Sequence, residues 1–187
     1  MKPFSIYVFP VFLAVIVFLV FISDKVKTSD DIHPGSKAPT GRILQYGIYE
    51  LVREGKLVES HVTTTGKAIS RPTIQQVEQT DRIPVKKDVY FSYQYRLSNF
   101  PMTKPVVNLK RVLKHPQITL PDGTVRTGSE YMIKGRVKRG EVFAFDGYAF
   151  SEDYELVEGD WIFQIWFEGQ KLVEQKFTSY KVETGNG

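Results

Sequence analysis

In the closing segment ELVEGDWIFQIWFEGQKLVEQKF, Glu155 to Phe177, large apolar side chains stand at every second residue: Trp161, Phe163, Ile165 and Phe167. A period of two places them on one face of a β-strand, whereas a helix would scatter them around its axis. The residues EGQK then turn the chain into a partner strand with Leu172, Val173, Phe177, Tyr180 and Val182 as its apolar members. A chain carrying such a hairpin must build a sheet with an aromatic face to bury. Two registers compete. A two-residue loop at Gly169 and Gln170 sets Phe163 opposite Lys176, while a three-residue loop sets it opposite Phe177 and sets Phe167 opposite Val173. The apolar pattern favours the longer loop or a bulge. Trp166 falls on the other face, beside Gln164 and Glu168, where an exposed indole can serve a partner or a sugar ring.

The same alternation recurs upstream. Val89, Phe91, Tyr93, Tyr95 and Leu97 interleave with Tyr90, Ser92, Gln94 and Arg96, which makes one face apolar and the other wetter. From Ile43 onward, short runs rich in Val, Ile, Tyr, Phe and Thr are broken by Gly, Pro, Asn and Asp. Strands are predicted at 43–52, 56–63, 73–79, 88–97, 106–113, 130–138, 141–150, 161–168 and 172–182. No segment has helical periodicity and no repeat is present. This pattern predicts an all-β, immunoglobulin-like antiparallel β-sandwich over residues 43–184, with a closed barrel as the structural alternative.

Ahead of that domain, residues 3–22 form an uncharged run of 20 residues, KPFSIYVFPVFLAVIVFLVFI without its leading lysine. As a helix this run spans roughly 30 Å, the thickness of the bilayer hydrocarbon. Phe21, Ile22 and Ser23 make a poor cleavage flank, so the run is predicted to be a retained transmembrane anchor rather than a cleaved signal. Residues 23–42, rich in Ser, Asp, Pro and Gly, are predicted to be a flexible tether. Lys2 precedes the span whereas Lys25, Lys27 and Lys37 follow it, a count that favours a cytoplasmic bulk. Long domains translocate largely regardless of flanking charge, however, and an extracytoplasmic domain is the expectation. The absence of cysteine fits either redox compartment.

The residues that ordinarily carry chemistry do not assemble into a motif. His33, His61 and His115 lie far apart without metal-ligand spacing, and His115, just before Pro116, is predicted to be a turn residue. TTTGKA lacks the first glycine of a phosphate-binding loop and has Ala68 where its hydroxyl belongs. There is no nucleophile elbow. Glu152, Asp153, Glu155, Glu158 and Asp160 do not follow the calcium-loop spacing and are read as a solvated connection. No catalytic residue, metal or cofactor is expected, and the chain is not expected to be an enzyme. A pI near 9.1 with a net charge of only +4 and no nucleic-acid motif argues against a nucleic-acid partner.

Three blocks, LQYGIYEL, DRIPVKKDVYFSYQYRL and YAFSEDYELVEGDWIFQIWFEGQKLVEQKF, resemble in order those of the bacterial domain-of-unknown-function family 3859. The similarity runs over most of residues 44–182. Gly159, Asp160 and Trp161 lie in its most specific block, and Lys86, Lys87 and Asp88 depart from the family's small residue and glycine. The resemblance implies a compact all-β domain of an exported bacterial protein and supplies no catalytic residues. Combined with the anchor, it implies a single-pass protein of the bacterial inner membrane with its β-domain in the periplasm or extracytoplasmic space.

Charge order suggests where such a domain meets a partner. Residues 101–140 hold nine Lys or Arg against two acids, and residues 141–160 hold seven acids and no Lys or Arg. Lys134, Arg136 and Lys138 recur with period two and line one strand face, opposite Ile133, Gly135 and Val137. The plain expectation is a solvated face in which Lys138 pairs with Glu141 and Arg136 stacks on Phe143. The sharper one is a basic stripe that, with Trp166, docks an acidic protein partner or an anionic envelope surface. Two functions follow: a non-enzymatic protein-interaction module, and a glycan-binding or glycan-processing domain that uses Trp166 or the Tyr-rich strand with acidic loop residues.

Overall fold

The computed structural model describes residues 37–53, 56–70 and 73–182. The predicted anchor, 3–22, and all but the end of the predicted tether lie outside the described residues; among the described ones no helix is long and apolar enough to cross a membrane. Eleven strands follow in order: β1 (Thr40–Arg53), β2 (Lys56–Glu59), β3 (Lys67–Ser70), β4 (Thr73–Glu78), β5 (Arg82–Pro84), β6 (Tyr90–Ser98), β7 (Val106–Thr119), β8 (Val125–Arg136), β9 (Val142–Ala149), β10 (Gly159–Phe167) and β11 (Gln170–Tyr180). A 3-10 turn at Asp153–Glu155 precedes β10. β1 begins at Thr40, three residues ahead of the first predicted strand.

Two sheets stack, one in the order β4-β1-β6-β9 and the other β5-β11-β10-β7-β8, while β2 and β3 form a separate hairpin. The predicted sandwich is therefore present, with one departure: β5 runs parallel to β11, from Thr178 opposite Arg82 to Tyr180 opposite Pro84, so the second sheet is mixed and not purely antiparallel. A three-residue edge strand has too little alternation to announce itself in sequence.

The alternating residues behave as their period requires. Phe91, Tyr93, Tyr95 and Leu97 of β6 are buried, and so are Trp161, Phe163 and Ile165 of β10. They meet between the sheets, with Phe91 5.5 Å from Trp161 and 5.2 Å from Phe177 between ring centroids, and Tyr93 5.5 Å from Phe163. Edge-to-face and tilted pairs of this kind add to the stabilisation from area burial.

The terminal hairpin adopts neither predicted register. Phe167 pairs with Gln170 around a two-residue turn at Glu168 and Gly169, and a bulge between Ile165 and Trp166 shifts the ladder so that Trp161 faces Phe177 and Ile165 faces Val173. Both turn residues have positive φ, 46° and 83°, which is the twist that suits a tight hairpin. The bulge that the apolar pattern required is present; the turn lies one residue earlier than the sequence suggested.

β7 and β8 are longer than predicted. The predicted strand ends at Leu113, and Pro116, just beyond it, cannot donate to a ladder. Instead the register shifts between Lys114 and Ile118, and pairing resumes with Ile118 opposite Arg126 and Thr119 opposite Val125. The bulge absorbs the missing donor. The hairpin closes at Pro121, Asp122 and Gly123, where the Thr124 N–H donates to Asp122 Oδ1 at 2.8 Å.

Candidate functional site

A cleft of about 340 Å³ opens where β8 and β9 edge the two sheets, walled by the β2–β3 connection and by residues 151–155. Its floor is a buried ion pair that joins the sheets. Arg111 of β7 donates from Nε to Asp146 Oδ2 at 2.8 Å and from Nη2 to Oδ1 at 3.1 Å, a bidentate arrangement, and from Nη1 to Ser129 Oγ at 3.1 Å. The guanidinium lies 5.3 Å from the Tyr131 ring and 5.6 Å from that of Phe163.

Glu155 clamps one wall. Buried at 3 % exposure, it accepts hydrogen bonds from the Tyr148 hydroxyl at 2.8 Å and from the backbone N–H groups of Ser151 and Glu152 at 2.6 and 2.8 Å. It is thus no part of a solvated connection, and the correction has a clear cause: the 3-10 turn folds this carboxylate back onto its own preceding residues, as in a capping box. Burial, followed by the Glu155 charge, raises the Tyr148 hydroxyl far above its ordinary value, and burial pushes Tyr90 up to about 12. Both phenols stay protonated. At the rim Lys67 pairs with Glu152 at 3.1 Å.

His115 is not in a turn. It is buried within β7, where its ring stacks on Trp161 at 5.2 Å, Nδ1 donates to the Pro116 carbonyl at 2.7 Å, and Nε2 accepts from the Thr64 hydroxyl at 3.0 Å. The ring thereby ties the β2–β3 connection, a wall of the cleft, to the core. Desolvation lowers its pKa, the Pro116 carbonyl opposes that shift, and the Arg111 charge adds to it; Thr64 and Trp161 contribute no charge. Because the folded-state value is below the unfolded one, stability is complete above the ordinary histidine value and falls as acidification carries the pH through the lowered value. Urea titrations at about pH 7 and pH 5 are expected to show this loss in the wild type and a smaller one in His115→Gln.

The stripe residues Lys134, Arg136 and Lys138 are all exposed, as their spacing requires. β8 is the outer strand of its sheet and pairs only with β7. The expected local partners are replaced by others: the Glu141 carboxylate lies 3.6 Å from Arg96, and it is Arg96 that lies over Phe143, at 5.6 Å. Lys138 and Glu141 share only a backbone bridge. Arg96 takes both roles because β6 and β9 are sheet neighbours, with Arg96 directly opposite Phe143.

Trp166 is half-buried and not a free indole. Its Nε1–H donates to Gln164 Oε1 at 3.0 Å, and the Lys110 ammonium lies 5.6 Å from its ring. The ladder sets Trp166 opposite Lys110 and Lys110 opposite Met132, so Trp166 and the basic stripe share the outer face of one sheet. Sequence reasoning grouped both features as one possible interaction surface without the register that sets them on one face, and it missed Arg111, Asp146 and the tyrosine cleft. The one available signal was Asp146, an acid at an inward position between Ala144 and Tyr148. Among the described residues no group of three or more His, Asp or Glu side chains is arranged to hold a metal.

The fold is similar to the crystal structure of an immunoglobulin-like protein from Pseudomonas aeruginosa, with a TM-score of 0.52 and 21 % identity over 78 % of this chain and 99 % of that one. A Pseudomonas fluorescens alkylpurine DNA glycosylase, AlkC, bound to DNA containing an abasic-site analogue, aligns at a TM-score of 0.35 and 8 % identity over 53 % of this chain and 27 % of that one, too weak a likeness to bear on fold or function. No curated protein matches the sequence. The family described as a domain of unknown function, DUF3859, matches residues 37–179, and the chain belongs to that family.

Proposed function

We propose that the protein is a non-enzymatic interaction module of the bacterial envelope, held to the inner membrane by residues 3–22, which presents the outer face of β8 and β10 to an acidic protein partner. The observation that carries this reading is the grouping of unpaired cations on one sheet face. Lys67, Lys87, Lys110, Lys171, Lys176 and Lys181 each lie within ion-pair distance of a carboxylate, whereas the exposed Lys86, Lys104, Lys114, Arg126 and Arg139 do not among the described residues. Lys134 and Arg136 project from the outer strand β8 beside the exposed Met132 and the half-buried Trp166, Lys138 follows two residues past the strand's end, and none of the three has such a partner among the described residues. Aromatic, methionine and arginine side chains are enriched at partner-binding surfaces, and the two lysines, a type depleted there, would add charge complementarity to an acidic partner.

The test is a pull-down from carbonate-washed membranes, in which the chain must itself remain for the anchored reading to hold. Replacing Lys134, Arg136 and Lys138 with Glu is expected to leave stability unchanged within about 0.5 kcal/mol, as for surface positions generally, and to abolish capture of a partner with an acidic surface. Reversing charges on that partner should restore it. Equal recovery by the triple variant at low salt sinks the proposal, and loss of binding only to anionic liposomes redirects it to a lipid surface.

A further inference from the structure

The geometry points to a second binding site, the cleft above Arg111 and Asp146, whose ligand is an uncharged saccharide of one or two rings. Three features of the cleft lead there. The first is size: about 340 Å³ lies at the lower end of small-ligand pockets and suits a mono- or disaccharide better than a peptide.

The second is the charge state of the lining. Every cation in the cleft already holds an anion: Arg111 is matched by Asp146 through two hydrogen bonds, and Lys67 by Glu152. The remaining carboxylate, Glu155, accepts three donors of its own wall. A phosphorylated or carboxylated ligand would find no free cation on the floor, and a cationic ligand no free carboxylate there, without breaking the buried Arg111–Asp146 pair and leaving a charge unpaired; only the half-exposed Lys67–Glu152 pair at the rim yields at little cost. A neutral ligand breaks none.

The third is what the lining still offers. Tyr90, Tyr131, Tyr148 and Tyr154 converge on the cleft, and the hydroxyls of Tyr131 and Tyr154 have no protein hydrogen-bond partner among the described residues. Phenols combine an apolar ring with a hydroxyl that donates and accepts, which matches the alternation of C–H faces and hydroxyl groups on a sugar. Thr65 adds a further hydroxyl at the rim. The same engagement of Asp146, Glu152 and Glu155 means that the cleft has no free pair of carboxylates of the kind glycoside hydrolysis uses, so the saccharide is bound and not cleaved.

This site is independent of the basic face of β8, and its test separates the two. The full chain, kept in a detergent without a sugar headgroup, is titrated by NMR and calorimetry with maltose, cellobiose, N,N′-diacetylchitobiose and, as an anionic control, galacturonic acid. Saturable binding of at least one neutral disaccharide is expected, with shifts at Tyr131, Tyr148 and Tyr154 and weaker binding of galacturonic acid. Tyr154→Ala should weaken the neutral disaccharide roughly tenfold, the scale of one lost aromatic contact, and Tyr131→Phe should weaken it while preserving the ring and the thermal midpoint. The triple glutamate variant of β8 should bind the sugar as the wild type does. The proposal is overturned if none of the neutral disaccharides binds, if galacturonic acid binds at least as tightly, or if the folded Tyr131→Phe and Tyr154→Ala variants both bind unchanged.

Discussion

Replacing Asp146 with alanine is expected to cost about 3–5 kcal/mol of folding free energy, the usual penalty for stranding one member of a buried ion pair. The Arg111 and Asp146 side chains are only 7 % and 17 % exposed. Removing the carboxylate leaves a guanidinium between two sheets with Ser129 as its remaining hydrogen-bond partner among the described residues, against the faces of Tyr131 and Phe163. Asp146 Oδ1 also accepts the Gly147 N–H at 2.9 Å, so the local turn of β9 loses a contact as well. The double variant Arg111→Met, Asp146→Leu should recover most of the loss, because apolar side chains of similar volume suit a site flanked by aromatics. Urea denaturation of the three proteins decides the matter. A single-variant cost below about 1 kcal/mol would mean that the pair behaves as a solvated surface bridge.

Trp161→Ala is expected to cost a similar amount, about 3–5 kcal/mol, and Trp166→Ala much less. Trp161 is fully buried, donates from Nε1 to Ser179 Oγ at 3.0 Å, and packs against Tyr148, His115, Phe91 and Phe150 at centroid distances of 4.6 to 5.6 Å. Alanine there leaves a cavity and removes the donor to the Ser179 hydroxyl, which keeps its own bond to the Val157 carbonyl at 2.7 Å. It also loosens Tyr148, a wall of the cleft, so reduced saccharide binding should accompany the reduced stability. Trp166, half-buried on the outer face, covers little that must stay dry. Chemical denaturation of the two variants should separate them by at least 2 kcal/mol; equal losses would show that the two faces of β10 contribute alike.

Strand identity and facing were legible because they are local properties. Alternation from Val89 to Leu97 and from Trp161 to Phe167 marks the buried side residue by residue, and a strand exposes that alternation to inspection without knowledge of its neighbours. The stripe of Lys134, Arg136 and Lys138 was legible for the same reason. Where a single residue breaks the pattern, the reading failed. The strand was predicted to stop at Leu113 and His115, just before Pro116, was read as a turn residue, because the bulge that accommodates Pro116 exists only when β8 is alongside.

A two-residue period encodes the side of a sheet, so the alternating residues alone marked an all-β chain, the side chains that fill it and its line of basic residues, and they favoured a sandwich while leaving a closed barrel open. What lies across from each side chain was decided only by the tertiary structure. Arg111 and Asp146 are separated by 35 residues. In sequence they are one more base in a basic segment and one more acid in an acidic one. Stacking of the sheets removes both from water, and in that low-dielectric space each becomes the only acceptable partner for the other. The same closure folds Glu155 inward, carries Thr64 to His115 and gathers four tyrosines from separate segments around one cleft. These contacts join residues that no local period relates, so the binding site came into view only with the fold.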